Sequence, residues 1–307
     1  MDKVVVCVHG RNQQWILENE VLADFQGGII EGLGRLPDHL ALSSEQIVLA
    51  FYGDLFLPDA APPAAFGLAG GHTPEPAFQV NIAQAMLQEA AKRGLAVDDE
   101  TLKLASPSAQ PAFLTWENPF VYALLQIIDQ IIGAPREILR LFISDVDQYL
   151  HIPLLRERVM ARLVNVLQQQ QGKEIVVVAH SLGSVVAYDV LNTHPEIAIS
   201  SFVTLGSPLG LSPFIYNALL PEIQDAQRHP FPASITGNWS NFYDPQDIVA
   251  LVPILGPLFP GASGQSVVST PVQNNPDDRH SLIGYLIQML VAQAINNALA
   301  GKSTSRV

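Results

Sequence analysis

The segment VVVAHSLGSVVAYDV, residues 176–190, constrains the fold more than any other part of the chain. A run of valines, typical of a strand buried on both faces, leads directly into Ser181 and then into a helical pattern. So abrupt a change forces Ser181 into a strained turn, with its hydroxyl above the sheet edge at the start of the helix. Ala179 and Gly183 are small enough to keep the backbone from colliding at this turn. The segment therefore predicts a nucleophile elbow, formed by Ala179, His180, Ser181 and Gly183.

Short β-branched runs alternate with longer helical patterns along much of the chain. Five runs are predicted to be strands, with a sixth candidate at the end: residues 3–9, 46–53, 174–180, 200–207, 238–244 and 265–272. Helical patterns cover residues 15–35, 148–171, 184–193 and 279–300 approximately. This alternation predicts an α/β fold with a doubly wound, mostly parallel sheet.

One long segment interrupts the alternation, since about a hundred residues between the second strand and the next core helix far exceed an ordinary crossover. Residues 54–150 are predicted to form a helical cap inserted after the second strand. The core then comprises 1–53 and 151–300, and 301–307 form a tail. Within the insertion, residues 120–132 are apolar on most faces, as in a buried sub-domain helix or a cap over an apolar pocket. These two interpretations are compatible.

Composition excludes several classes of function. The net charge of −13, with no basic run, argues against a nucleic-acid partner and against electrostatic docking on an anionic membrane. The single cysteine, Cys7, rules out internal disulfides and a cysteine-cluster metal site. No apolar stretch is long enough for a transmembrane segment, and the N-terminal one is too short for a signal peptide. We expect a cytoplasmic protein; signal-independent export, transient contact with lipid surfaces and the oligomeric state stay open.

A serine hydroxyl is a poor nucleophile at neutral pH and needs a base within hydrogen-bond reach. In this architecture the base comes late in the chain, before the last helix, where NNPDDRHSLIGYL supplies His280. His180 lies inside the elbow, where its ring cannot turn back on Ser181, and His9 ends the first strand. We therefore expect His280 to be the base.

The base needs a carboxylate that orients it and stabilises its charged form. The segment NWSNFYDPQDIVALVP offers two candidates, Asp244 at the strand end and Asp247 before two apolar residues that can anchor the loop. Asp247 is preferred, Asp244 is the alternative, and the other one is expected to cap the turn around Pro245. The chain order Ser181, Asp247, His280 is the order expected for this architecture.

The oxyanion that develops in acyl transfer needs backbone N–H donors. One donor is expected to be the N–H of Leu182, directly after the serine. The segment VHGRNQQW after the first strand is expected to supply the other, from Arg11 or from Gly10 itself. Gly10 lets the backbone approach the substrate carbonyl. Taken alone, His-Gly can also be a plain turn at a strand end, which is the alternative interpretation.

At this point the chain resembles the α/β-hydrolase superfamily, specifically its lipase and esterase-like members. The resemblance rests on VVVCVHGRNQ, YGD, VVVAHSLGSVVAYDVL, TLGSPLG, NFYDPQDIVALVP and DDRHSLIGYL, and it covers residues 3–53 and about 172–300. The stretch TLGSPLG resembles a segment that lines the site floor in lipases, or is only a turn. Two departures are the absence of the usual first two strands, which implies a trimmed sheet of about six, and Ala179 in place of the more frequent glycine.

The superfamily implies reaction at an acyl carbon through an acyl-serine intermediate, with no metal and no organic cofactor. We expect a serine hydrolase acting on a small-molecule or lipid carboxylic ester with an apolar acyl chain. A phospholipase, thioesterase or acyltransferase of the same fold is the alternative within this chemistry. A non-catalytic binding module of the hydrolase fold is the alternative outside it.

Overall fold

The computed structural model describes residues 2–10, 13, 15–57, 76–94, 103, 136–212, 214–223, 228–262 and 265–301. The strands are β1 (Lys3–Val8), β2 (Ile47–Ala50), β3 (Glu174–His180), β4 (Ile199–Leu205), β5 (Ile235–Tyr243) and β6 (Val267–Pro271). The α-helices are α1 (Glu18–Gly34), α2 (Pro76–Lys92), α3 (Arg136–His151), α4 (Pro153–Gln169), α5 (Leu182–Thr193), α6 (Leu282–Leu286) and α7 (Met289–Leu299). Short 3-10 turns occupy Ser44–Gln46, Gly53–Phe56 and Tyr216–Ala218.

The strands form one six-stranded sheet in the order β2-β1-β3-β4-β5-β6, and each neighbouring pair is parallel. This confirms the predicted doubly wound α/β fold with a trimmed sheet, and each predicted run overlaps one of the strands, although β4 and β5 begin earlier than predicted. The strand order reverses between β1 and β3. In open parallel sheets, ligands bind outside the carboxyl ends of the strands at such a reversal.

Helices cover both faces of the sheet, which is why β1 and β3 are apolar almost throughout. On one face α2, α3, α4 and α5 contribute to a single hydrophobic cluster with the strands. On the other, α1, α6 and α7 enclose a second cluster. The side chains of α5 from Leu182 to Leu191 are all buried, so the helix that follows Ser181 is fixed along most of its length.

Two predicted helices are each divided in the structure. The pattern at 148–171 contains the end of α3 and the whole of α4, because Pro153 lacks an N–H and suits a first helical position. Ile152 before it is extended, with φ −107° and ψ 94°. The pattern at 279–300 contains α6 and α7, separated by the extended Gln288. Hydrophobic periodicity alone does not reveal such short interruptions.

The predicted insertion is described in part, by α2 and α3. Val80, Met86 and Leu87 of α2 are buried in the same cluster as the sheet, as is Phe142 of α3. The apolar pattern at 120–132 lies outside the described residues, as do residues 302–307 of the tail. The assignment of 54–150 as a cap therefore stays a prediction. Among the helices that the structure describes, none combines the length and apolarity needed to cross a membrane.

Candidate active site

Ser181 occupies a sharp turn between β3 and α5. Its φ of 55° and ψ of −130° are unusual for a residue with a side chain, and such conformations cost on the order of 1–3 kcal/mol. Hydrogen bonds hold the turn: the Ser181 N–H donates to the Leu205 carbonyl at 3.0 Å, and the Ser184 hydroxyl donates to the Ser181 carbonyl at 2.6 Å. The surrounding fold thus stabilises a strained backbone that projects the hydroxyl from the turn.

Close backbone packing around the elbow explains its small residues. A Cβ at Gly183 would lie 2.3 Å from the His9 carbonyl oxygen, because α5 begins against the end of β1. A Cβ at Gly10 would lie 2.9 Å from the Ser181 Cβ. Ala179 is fully buried in the sheet. The loop after β1 and the elbow after β3 are therefore in direct contact, at the reversal of the strand order.

His280 forms a short hydrogen bond with Asp247, at 2.7 Å from Nδ1 to Oδ2. Because the carboxylate is the acceptor, Nδ1 carries the proton and Nε2 presents a lone pair. His280 Nε2 and Ser181 Oγ are both buried without a hydrogen-bond partner. Most buried polar side-chain atoms in native proteins are bonded, and the two unbonded atoms here are the ones that a serine nucleophile and its base would use. Bonds between nucleophile and base are often long without substrate and tighten when it binds.

The TLGSPLG segment lies against the hydrogen-bonded pair of Asp247 and His280. The sequence left open whether this segment lines the site or is only a turn, and its position answers that question. Gly206 has a positive φ of 55°, and a Cβ there would lie 2.8 Å from Asp247 Oδ2 and 3.0 Å from His280 Nδ1. The segment after β4 is therefore both a turn and a wall of the site. Glycine at 206 is required by its backbone conformation and by lack of space.

Asp247 is almost completely buried, yet both of its oxygens are hydrogen-bonded. Oδ1 accepts the N–H of Val249 at 2.8 Å, and Oδ2 accepts from His280 and from the Tyr285 hydroxyl, the latter at 2.6 Å. The Asp247 carboxylate is thereby held in one orientation, facing the imidazole.

Asp244 is equally buried but makes different contacts. Its Oδ1 accepts the N–H of Gln246 at 2.6 Å, which closes the turn, and its Oδ2 accepts the N–H of Asn274 at 2.6 Å. Arg279 Nη1 lies 3.4 Å from the same Oδ2. No hydrogen bond joins Asp244 to His280. Of the two candidate acids, this one organises the loops around the base, and the other contacts it.

The predicted oxyanion donors are placed in part. The N–H of Leu182 is the first of α5, so it has no partner one turn earlier in the helix. Gly10 lies beside Ser181, whereas Arg11 lies outside the described residues.

His9 supports the loop that contains Gly10. The N–H of Tyr52 donates to His9 Nε2 at 3.0 Å, so the ring proton is on Nδ1, which lies 2.6 Å from the Gly10 carbonyl oxygen. Burial lowers the pKa of His9 to about 4, which keeps the ring neutral at neutral pH. His9 therefore anchors the Gly10 carbonyl as a neutral side chain.

His180 contacts His280. Its Nε2 lies 3.0 Å from the carbonyl oxygen of His280, and the two rings are 4.6 Å apart between centroids. The side chain thus supports the main chain of His280 from the elbow.

Sequence reasoning missed two side chains that hold the loop of Asp244 and Asp247. Tyr285 bonds to Asp247 from α6, and burial raises the pKa of its hydroxyl well above the ordinary value. Arg93, just after α2, donates to the carbonyls of Pro245 at 2.6 Å and Ala250 at 3.2 Å. Neither residue stands in a motif, so no sequence signal marks these contacts. Within the described part of the chain, no group of three or more His, Cys, Asp or Glu side chains could hold a metal ion.

Part of the chain matches a known family. Residues 140–278 match the family model of lecithin:cholesterol acyltransferase, a range that contains Ser181 and Asp247 and ends just before His280. No curated protein matches the chain. Together with the parallel sheet, the family match confirms the resemblance to lipase-like α/β-hydrolases, and it indicates an enzyme of the acyltransferase or hydrolase type.

Proposed function

We propose that this lipase-like member of the α/β-hydrolase superfamily cleaves carboxylic esters of lipids through an acyl-serine intermediate. One observation carries the proposal: His280 is bonded through Nδ1 to the buried Asp247, while its Nε2 and the Ser181 hydroxyl are buried and unbonded. A base that is oriented on one side and unoccupied on the other, beside a strained serine, is the arrangement that nucleophilic catalysis needs.

In the proposed reaction, Ser181 Oγ attacks the ester carbonyl carbon and its proton passes to His280 Nε2. Asp247 stabilises the imidazolium that results. The negative charge on the carbonyl oxygen is stabilised by the N–H of Leu182, with a second N–H predicted from Arg11 or Gly10. His280 then returns the proton to the oxygen of the leaving alcohol, and the acyl group remains on Ser181. Water, activated by His280 in the same way, releases the acid.

A lipid ester is the proposed substrate class. The name of the matched family joins two lipids, lecithin and cholesterol, to acyl transfer. The predicted apolar helix at 120–132 suits an acyl chain, and the net charge of −13 suits a neutral rather than an anionic substrate.

Acyl transfer to an alcohol is the second candidate, and the name of the matched family favours it. The two reactions share every step up to the acyl-serine and differ in whether water or an alcohol attacks it. Ser181 is fully buried, so the access of each acceptor to the acyl-serine determines the outcome. Product analysis with and without a long-chain alcohol separates the two.

The test is hydrolysis of p-nitrophenyl esters, from acetate to palmitate, by the wild type and by Ser181→Ala. We expect the substitution to lower the rate on the order of a millionfold, as loss of a nucleophile does. Ser234→Ala is the matched control, because Ser234 is equally buried and its hydroxyl bonds to the Leu191 carbonyl, outside the site. Its rate should equal that of the wild type.

Undiminished hydrolysis by Ser181→Ala would remove the proposal. If the wild type cleaves no ester, a fluorophosphonate probe decides what remains. Labelling of Ser181 would support its role as nucleophile and would mean that the proposed substrate class is wrong. Failure to label would favour a non-catalytic binding module.

A further inference from the structure

The hydroxyl of Tyr285 lies between the two aspartates of one loop. It is 2.6 Å from Asp247 Oδ2, the same oxygen that His280 Nδ1 approaches at 2.7 Å. It is also 2.9 Å from the main-chain nitrogen of Asp244. The Tyr285 side chain is completely buried, so water does not compete for these bonds.

The direction of both bonds follows from their chemistry. A backbone N–H can only donate, so the Asp244 N–H occupies a lone pair of the Tyr285 oxygen. The single hydroxyl proton is then directed to Asp247. Burial raises the pKa of Tyr285 well above its ordinary value, with the charge of Asp247 adding to the effect, so the hydroxyl keeps this proton across the usual assay range.

We propose that Tyr285 is a positioning residue, which holds the Asp247 carboxylate against His280 Nδ1 in the orientation that the base needs. The inference rests on the proposed serine mechanism and deepens it. His280 and Tyr285 belong to one short segment, joined by the Ser281 cap of α6, and they bond the same oxygen from two sides. The Asp247 carboxylate therefore cannot turn without breaking a bond to a rigid element.

The bond to Asp244 gives Tyr285 a second effect on the same loop. By accepting the N–H of Asp244, the ring fixes the main chain at the beginning of the turn. The side chain of Asp244 is meanwhile engaged by Gln246 and Asn274. Tyr285 thus bonds the side chain of one aspartate and the main chain of the other, which keeps Asp247 as the partner of the base.

A residue that only stabilises the fold would not act through Asp247, and this difference is measurable. The experiment is a double-mutant cycle on the rate at which a fluorophosphonate labels Ser181, in the wild type, Tyr285→Phe, Asp247→Asn and the double variant. Tyr285→Phe should slow labelling by about tenfold in the wild-type background, the scale of one bond to a charged group. In the Asp247→Asn background the same change should have almost no effect, because residues that act as a unit are not additive.

Tyr216→Phe is the matched control. Its hydroxyl also donates one bond, to the Leu258 carbonyl at 2.8 Å, and accepts one backbone N–H, from His229 at 3.1 Å. Removing it breaks one donated and one accepted bond of a buried tyrosine elsewhere and should leave labelling at the wild-type rate. Labelling rates are compared at a temperature at which circular dichroism shows that every variant is folded, so loss of structure does not affect the comparison.

The proposal is overturned if Tyr285→Phe labels as fast as the wild type, or if it slows labelling by the same factor in both backgrounds. Either result would leave the Ser181 nucleophile standing. Absence of labelling in the wild type would instead contradict the role of Ser181 as nucleophile, and this inference would fail with it. Failure of the proposed function and failure of the role of Tyr285 therefore give different results.

Discussion

Two buried polar clusters lie along α5, one at its start and one in its second half. The first contains Ser181, His280 and Asp247. The second contains Asp189, whose Oδ1 accepts the N–H of Leu220 at 2.8 Å and whose Oδ2 accepts from Tyr149 and Arg156, each at 2.6 Å. We refer to them as the Ser181 cluster and the Asp189 cluster.

The clusters differ in what is left unbonded. Both oxygens of Asp189 are occupied, and Arg156 also donates to the Ala218 carbonyl at 2.7 Å. In the Ser181 cluster the carboxylate is equally well bonded, but the serine oxygen and His280 Nε2 are not. A fully bonded buried network contributes to a unique fold, whereas unbonded buried atoms are a cost that a chemical role explains. The predictions below test this division, from the largest expected effect to the smallest.

Within the Ser181 cluster, the two aspartates should separate most sharply. Asp247→Asn should lower kcat/KM by a factor on the order of ten thousand, because the imidazole loses the charge that stabilises its protonated form. Asp244→Asn should lower it less than about tenfold, because Asp244 bonds the loops and not the base. Steady-state kinetics on the most reactive ester measures both, and equal losses would contradict the assignment.

Substitution in the Asp189 cluster should lower the stability of the fold and leave the reactivity of Ser181 unchanged. Asp189→Ala removes the carboxylate partner of the part-buried Arg156 guanidinium, which should lower the free energy of unfolding by about 3 kcal/mol, the lower end of the range for buried pairs. The rate of Ser181 labelling per folded molecule should not change. Urea unfolding measures the first, and Asp189→Leu combined with Arg156→Met should recover much of the loss. A slower labelling rate in folded protein would mean that the two clusters are coupled.

Acid should destabilise the fold through the buried histidine beside the Ser181 cluster. The pKa of His9 is lowered from 6.5 to about 4 by burial, so between these values the unfolded chain binds a proton that the native protein does not. This contribution is complete above the ordinary pKa and is lost as the pH falls toward about 4, for a total of about 3 kcal/mol. Urea unfolding at several pH values measures it. His9→Gln should be less stable at neutral pH but should lose less stability on acidification; an unchanged slope would contradict the assignment.

The smallest effect should be a gain in stability on substitution of Ser181. Ser181→Gly removes an unbonded buried hydroxyl and places glycine at a φ of 55°, a conformation it adopts readily, so stability should rise by about 1 kcal/mol. Ser234→Ala, which removes a bonded hydroxyl, should lower stability by about 1 kcal/mol instead. Thermal unfolding compares them. A large loss in Ser181→Gly would show that this hydroxyl supports the fold.

The sheet could be predicted from sequence because strands buried on both faces must be apolar throughout, and β1 and β3 are. The elbow could be predicted because an abrupt change from strand to helix leaves Ser181 few conformations. The same logic gave the preference for Asp247, since the two apolar residues after it anchor the loop, and the structure places that carboxylate against His280. The start of a new helix at Pro153 could have been predicted, because proline is frequent at the first position of a helix. The continuous hydrophobic periodicity of 148–171 instead indicated a single helix.

Other contacts could not be predicted, for a physical reason. Tyr285 and Arg93 act through single polar atoms whose partners are distant in sequence, and hydrophobic patterns carry no information about which hydroxyl or guanidinium meets which acceptor. The contacts of Asp244 could not be predicted for the same reason, because its bonds to Gln246 and Asn274 depend on how two loops pack together. Patterns determine elements, whereas packing determines these side-chain partners.

The strand order has a consequence for how the protein acquires activity. Strands β3 to β6 lie side by side in chain order, so a continuous stretch can pair them with short loop closures. Strand β1 joins this sheet through Val8 and Ala179, across a long stretch of chain, and closing so long a loop costs more entropy and is slower. Ser181 and Asp247 belong to the stretch that pairs locally, whereas Gly10 arrives with β1. We therefore expect the Gly10 loop to reach the Ser181 elbow late in folding, when β1 pairs with β3.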